Sequence, residues 1–233
     1  VAAWPEELTL ASDGFSQGVE GSQIDGSTGG FGWVGPWRNF IQNSIGNLCF
    51  YDNQVVSVGT TSAAVWRHVA EPFRGANPVY FSGVFQIDGP DPICSAFIVL
   101  YRHELRMPND GEYSFATIGI SDGRFCSRPA PWITTPMETR AKGDFGNYVY
   151  GSKHLIVGKL EYDVDPAGNE RLSVWIDPGA GSESKPDKIV LSDTGQTSFD
   201  TMAVRCCDAE NGTVVRIDDV RLSLNWDEVT IGK

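Results

Sequence analysis

The chain has 233 residues, 41% of them hydrophobic and 21% charged, and 18 lysines and arginines against 30 aspartates and glutamates leave a formal net charge of -12. That length allows one large β domain with a real core. The acidic balance argues against nucleic acid and against an anionic membrane surface, because both need a basic face, and no apolar run reaches the ~18 residues of a membrane-spanning helix.

The first informative stretch is Ser12-Asp13-Gly14-Phe15, followed by Gly29-Gly30-Phe31-Gly32-Trp33-Val34-Gly35-Pro36-Trp37. Little local structure among those glycines can bury Trp33 and Trp37. They are therefore candidates for an exposed rim, the alternative being a plug at one end of the fold. Short strand-like runs follow at 54–58, 64–69, 79–87, 95–103, 113–121, 132–134, 154–164, 171–176, 189–192, 201–207 and 214–222. They are rich in β-branched and aromatic residues and bounded by turn residues. Lys159-Leu160-Glu161-Tyr162-Asp163-Val164 alternates cleanly, as a strand with one buried and one wet face does. Asp165-Pro166-Ala167-Gly168-Asn169 predicts a hairpin turn between 155–164 and 171–176. Asn211-Gly212 predicts a second, between 201–207 and 213–222. The one helical candidate is 225–231. No boundary between domains is visible, so residues 1–233 read as a single domain.

Tyr101-Arg102-His103-Glu104-Leu105-Arg106 concentrates base, phenol and guanidinium groups in an acidic chain. Arg102, His103 and Arg106 are candidates to engage an anionic ligand. Trp132, in Arg128-Pro129-Ala130-Pro131-Trp132, is a third rim candidate, since ligand sites carry aromatic faces. Trp66, Trp175 and Phe85 lie in alternating strands and are expected in the core. His68, His103 and His154 are isolated, with no His-Glu-x-x-His spacing for zinc. No Gly-x-Ser-x-Gly elbow occurs. The five cysteines, Cys49, Cys94, Cys126, Cys206 and Cys207, form no C-x-x-C pair. Their odd number leaves one outside any internal disulfide.

The last strand-like run carries adjacent carboxylates at Asp218 and Asp219. Alternation predicts one pointing outward and one inward. An inward carboxylate needs a metal or an Arg partner, Arg216 or Arg221 being the nearest.

Taken together, the Gly-Trp-x-Gly-x-Trp segment, Val174-Trp175-Ile176-Asp177-Pro178, the Ile217-Asp218-Asp219-Val220-Arg221 strand and Trp226-Asp227-Glu228-Val229 resemble the concanavalin A-like (laminin G-like) jelly-roll superfamily, of the bacterial secreted carbohydrate-binding type. The resemblance implies an all-β, two-sheet antiparallel jelly-roll β-sandwich that binds a polysaccharide or oligosaccharide without cleaving it. It implies an extracellular, cell-surface or periplasmic location, within a larger multidomain secreted protein. It also implies a structural Ca2+ near the chain ends, with Asp13 and Asp218 or Asp219 as candidate ligands beside backbone carbonyls and waters. A chain beginning at Val1 is expected to be a trimmed or processed form.

Two alternatives stand beside this reading. Tyr101–Arg106 is similar to the Arg-x-Glu-Leu-Arg strand of jelly-roll alginate lyases. That likeness implies a polysaccharide lyase with Arg102 or Arg106 neutralising a uronate, His103 as base and Tyr101 or Tyr148 as proton donor; a glycoside hydrolase is the weaker version, for want of a Glu-x-Asp-x-x-Glu strand. The other alternative is a structural or adhesion module.

Overall fold

A computed structural model describes residues 9–39, 48–74, 77–89, 94–102, 114–128, 144–166, 168, 170–192 and 198–231. In chain order its strands are β1 (Thr9–Asp13), β2 (Trp33–Asn39), β3 (Cys49–Tyr51), β4 (Gln54–Arg74), β5 (Val79–Asp88), β6 (Ser95–Tyr101), β7 (Ser114–Ser121), β8 (Arg124–Arg128), β9 (Asp144–Phe145), β10 (Lys153–Glu161), β11 (Glu170–Ile176), β12 (Lys188–Ser192) and β13 (Ser198–Ser223). A short helix, α1 (Trp226–Thr230), follows, with Asn225 capping it by accepting from Asp227 N. No described helix is long and apolar enough to cross a membrane.

Every pairing between strands is antiparallel, and together the strands make the two sheets of a jelly-roll β-sandwich. The first sheet runs β12-β11-β10-β5 and then the second half of β13, which is flanked by β1 and the start of β4. The second runs β9-β8-β7-β6, then the first half of β13, the rest of β4, and β2. The long strands β4 and β13 thus form a ribbon belonging to both sheets.

That ribbon corrects the second predicted hairpin. The chain does not reverse at Asn211-Gly212, because residues on both sides of it pair with the same strand in the same sense. Ala209 lies opposite Thr60 and Val214 opposite Val58, so β13 advances five positions while β4 advances two. The surplus forms a bulge, with Gly212 at φ +80°, a conformation glycine adopts without steric cost. The first predicted hairpin stands: β10 and β11 pair from Ile156–Ile176 to Glu161–Arg171. The predicted strand at 132–134 lies outside the described residues.

The core fills the space between the sheets with Phe81, Phe85, Ile98, Ile118, Ile156, Leu172, Val204 and Leu222, all fully buried. Two glycines make room for it. A Cβ on Gly83 would lie 2.4 Å from Ile98 Cδ1, and one on Gly158 would lie 2.7 Å from Phe81 and 3.0 Å from Ile118. On the far side of the first sheet, Trp226 and Val229 of α1 cover Tyr80, Val157 and Trp175.

Candidate functional site

The alternation of β6 places Ala96, Ile98 and Leu100 in the core and Phe97, Val99 and Tyr101 on the opposite face of the second sheet. Residues directly opposite in an antiparallel pair share a face, with strands ~4.8 Å apart. The registers therefore lay out three cross-strand rows on this outer face. One holds His68, Thr201 and Tyr101; the next Arg38, Trp66, Ala203, Val99 and Thr117; the third Ala64, Arg205, Phe97, Gly119 and Cys126. Phe97, Val99, Tyr101, Cys126 and Ala203 make a buried apolar floor with half-buried Trp66 packed against it. In these rows His68 and Arg205 are half-buried and Arg38 is exposed.

The polar groups at one end are ordered by a relay. Thr201 Oγ1 donates to Asp200 Oδ1 at 2.7 Å. Its single proton is thereby used, so towards His68 Nδ1, at 2.9 Å, it accepts. In the neutral imidazole the lone pair then sits on Nε2. The His68 ring stands edge-on to Trp66 at 4.9 Å. Burial, with Asp200 nearby, pushes the Tyr101 phenol well above its ordinary pKa and keeps it protonated.

The residues expected from the sequence are distributed differently. Arg102, half-buried, stands just past the end of β6; His103, Arg106 and Trp132 lie outside the described residues. Trp37 is fully buried and Trp33 partly so. Their rings lie 5.5 Å apart, Trp33 Nε1 donates to Ser12 O at 3.0 Å and Trp37 Nε1 to Asp13 Oδ2 at 2.8 Å. The pair plugs one end of the sandwich rather than forming a rim. Tyr148 packs in the core against Phe125 and His154. Its hydroxyl accepts from Ile87 N at 2.7 Å and donates to Ser152 O at 2.6 Å. It lies in the core and not on the outer face of the second sheet.

Both Asp218 and Asp219 are half-buried, which corrects the expected inward–outward split. Asp219, at φ +48°, is the extra residue of a bulge against β5, and the core positions on either side are Ile217 and Val220. Asp219 is held bidentately by Arg221, with both bonds at 2.8 Å. Asp218 accepts from Asp219 N at 2.7 Å. The inward carboxylate of this region is Asp13, 1% exposed. Its Oδ1 accepts from Phe15 N and Gln17 Nε2, its Oδ2 from Trp37 Nε1, and Arg67 Nη1 lies 3.5 Å from Oδ2. Four donors occupy about the four lone-pair sites a carboxylate offers. The arginines at Asp13 and Asp219 take the places calcium would need, so this donor set does not fit the ion. Among the described residues no group of three or more His, Cys, Asp or Glu side chains gathers to hold a metal.

The sequence does not single out Trp66 or His68, because Trp66 reads as core from alternation and His68 as an isolated histidine; in the structure Trp66 is half-buried against the outer-face cluster. The available signal was the unbroken apolar run Ala96-Phe97-Ile98-Val99-Leu100-Tyr101. Such a run means a strand buried on both faces, as Phe97, Val99 and Tyr101 are here.

No protein-family model matches the chain, and no curated protein sequence matches it. Solved structures do. The carbohydrate recognition domain of Emp47p superposes with a TM-score of 0.53 at 8% identity, over 95% of this chain and 99% of that one. The endo-β-1,4-glucuronan lyase of the fungus Trichoderma reesei gives 0.52 at 13% identity, over 91% and 98%. The exoplasmic/lumenal domain of VIP36, in its Ca2+/mannose-bound form, gives 0.55 at 8% identity, over 83% and 84%. At such identities the likeness concerns the fold: the chain shares the two-sheet β-sandwich architecture of these proteins.

Proposed function

We propose that the protein is a carbohydrate-binding domain, acting outside the cell or in a lumen, whose saccharide ligand lies on the outer face of the second sheet. The observation that carries this is the half-buried Trp66 on the outer face of that sheet with half-buried His68 and Arg205 in the neighbouring rows, above a floor in which Phe97, Tyr101 and Thr201 are fully buried. A face with an apolar floor and a few polar groups has the composition of a ligand site, and Trp offers the flat surface on which a sugar ring stacks. Two of the similar structures are named for carbohydrate recognition or hold mannose, which supports the reading. Affinity electrophoresis through neutral and acidic polysaccharide gels tests it. Wild type should be retarded by at least one glycan, and Trp66→Ala should lose about tenfold or more in affinity. Exposed Leu191→Ala should bind normally. Migration unaffected by every glycan overturns the proposal.

A second reading, a lyase acting on a uronate polymer, is favoured by the Asp200–Thr201–His68 relay. It offers a base at His68 Nε2, on the same outer face as half-buried Trp66. On this reading uronate polymers yield unsaturated products absorbing in the ultraviolet, and His68→Asn abolishes them while still binding the polymer.

A further inference from the structure

At the opposite sheet lies a second ordered set of polar side chains. Ser152 Oγ is 2.8 Å from His154 Nε2, and His154 Nδ1 is 2.6 Å from Asp177 Oδ2. The three come from the turn before β10, from β10 itself and from the residue after β11. Asp177 is locked: its Oδ1 accepts from Leu155 N at 3.1 Å and its own N–H donates to Leu155 O at 2.8 Å. It sits at φ +49°, a conformation that costs a non-glycine residue energy and persists where surroundings impose it. Phe125 and Tyr148 hold the imidazole by their edges, 5.1 and 5.7 Å from its centre.

We propose that Ser152 is an activated nucleophile, with His154 as its general base and Asp177 as the group that orients the base, and that the site transfers acyl groups from activated esters. The signature of such a nucleophile is a hydroxyl within reach of a base that a third group orients. Asp177 fixes the tautomer with the proton on Nδ1, leaving Nε2 to accept. The Ser152 oxygen also lies against Val149 O, which competes for the hydroxyl proton. The resting hydroxyl points to that carbonyl and the reactive one to His154.

The chemistry balances as follows. Ser152 Oγ bonds to the ester carbonyl carbon and its proton passes to His154 Nε2. The bond from carbon to the leaving oxygen or sulfur breaks, and His154 gives that proton to the leaving group. Water then attacks the acyl-serine, with His154 taking its proton and returning it to Ser152 Oγ; a carboxylic acid is released. Local donors set the substrate class. The N–H groups of Gly151 and Ser152 are committed to Ile87 O and Val149 O, so they do not cradle the developing oxyanion. A missing oxyanion donor costs ~10²–10³ in rate, which restricts the site to aryl esters or thioesters, whose leaving groups need little help.

The test is labelling of the folded protein with a fluorophosphonate probe and with p-nitrophenyl acetate, read by intact mass and peptide mapping. The expected result is one adduct, on Ser152, that is lost in Ser152→Ala and in urea-unfolded wild type. His154→Gln should slow labelling by about 10²-fold or more, and Asp177→Asn should slow it to a smaller extent, with circular dichroism confirming that each variant is folded. No adduct on Ser152 in folded wild type, or labelling of folded His154→Gln at the wild-type rate, overturns the proposal. Because the readout uses no glycan, it stands or falls apart from the carbohydrate reading.

Discussion

Asp13 and Arg67 are a buried pair, 1% and 4% exposed. The guanidinium also donates to Gly35 O at 2.6 Å, to Gly29 O and to Thr28 O at 3.2 Å, and lies 5.9 and 6.0 Å from the Trp33 and Trp37 rings. Burial lowers the Arg67 pKa and Asp13 opposes that shift. The Gly-Trp segment is thus wound around one cation, and its aromatic residues face that cation rather than a ligand. Asp13→Asn leaves Arg67 buried without its counter-charge and should cost about 3–5 kcal/mol. Trp37→Phe keeps the charge pair, removes one donor and should cost about 1–3 kcal/mol. Urea midpoints at unchanged m-value decide between them; equal losses would refute the ion pair as the larger effect. Asp218 behaves in the opposite sense. Burial raises its carboxyl pKa, although the Asp219 N–H and Lys153 pull it down. A group raised in the fold binds its proton more tightly folded than unfolded, so its contribution is present below its unfolded pKa and is lost as pH rises through the folded value. Asp218→Asn should therefore match wild type near about pH 3 and melt above it near about pH 7. An Asn variant that melts below wild type at neutral pH would refute burial as the dominant effect.

Individual strands were mostly visible in the sequence, because β5, β6, β7, β10, β11 and β12 carry local signals, apolar runs or alternation bounded by turns. What the sequence hid was continuity. β4 and β13 each read as two short strands, since Gly59 and Gly212 look like breaks; their pairing across both sheets is non-local and leaves no periodic trace. The Asn211-Gly212 signal was real chemistry, a left-handed residue, but left-handed residues make bulges as well as hairpin turns. The Trp33–Trp37 plug was hidden for a related reason: its partner Arg67 is some thirty residues away. The two glycines facing the opposite sheet give an element-level test. Gly158→Ala would set a methyl 2.7 Å from Phe81 and 3.0 Å from Ile118, so one sheet must yield. Overpacking of this kind costs about 1–3 kcal/mol. Gly179→Ala, whose Cβ would meet nothing within 4 Å, should be close to neutral. Urea denaturation of the pair checks it, and equal stability would show that the sheets can part without cost.

For the whole molecule, the ends of the chain meet where β1 pairs with the last residues of β13, Asp13 lying opposite Val220. A calcium ion is one way to neutralise carboxylates gathered at such a junction. Here arginines do so: Arg67 at Asp13 and Arg221 at Asp219, the latter also donating to Glu228 O at 3.0 Å and tying down α1. The two arrangements differ in how stability responds to a chelator. An ion bound at a hundredfold its dissociation constant adds about 2.7 kcal/mol, which for a chain of this size raises the melting temperature by roughly 5–10 °C. A junction closed by guanidinium groups gains nothing from calcium. Melting temperatures with excess calcium and with excess EDTA should therefore coincide, whereas Arg221→Met, which leaves Asp219 without its bidentate partner, should lower both equally. A fall of several degrees with EDTA in wild type would refute closure by arginine alone and place a calcium ion in the fold.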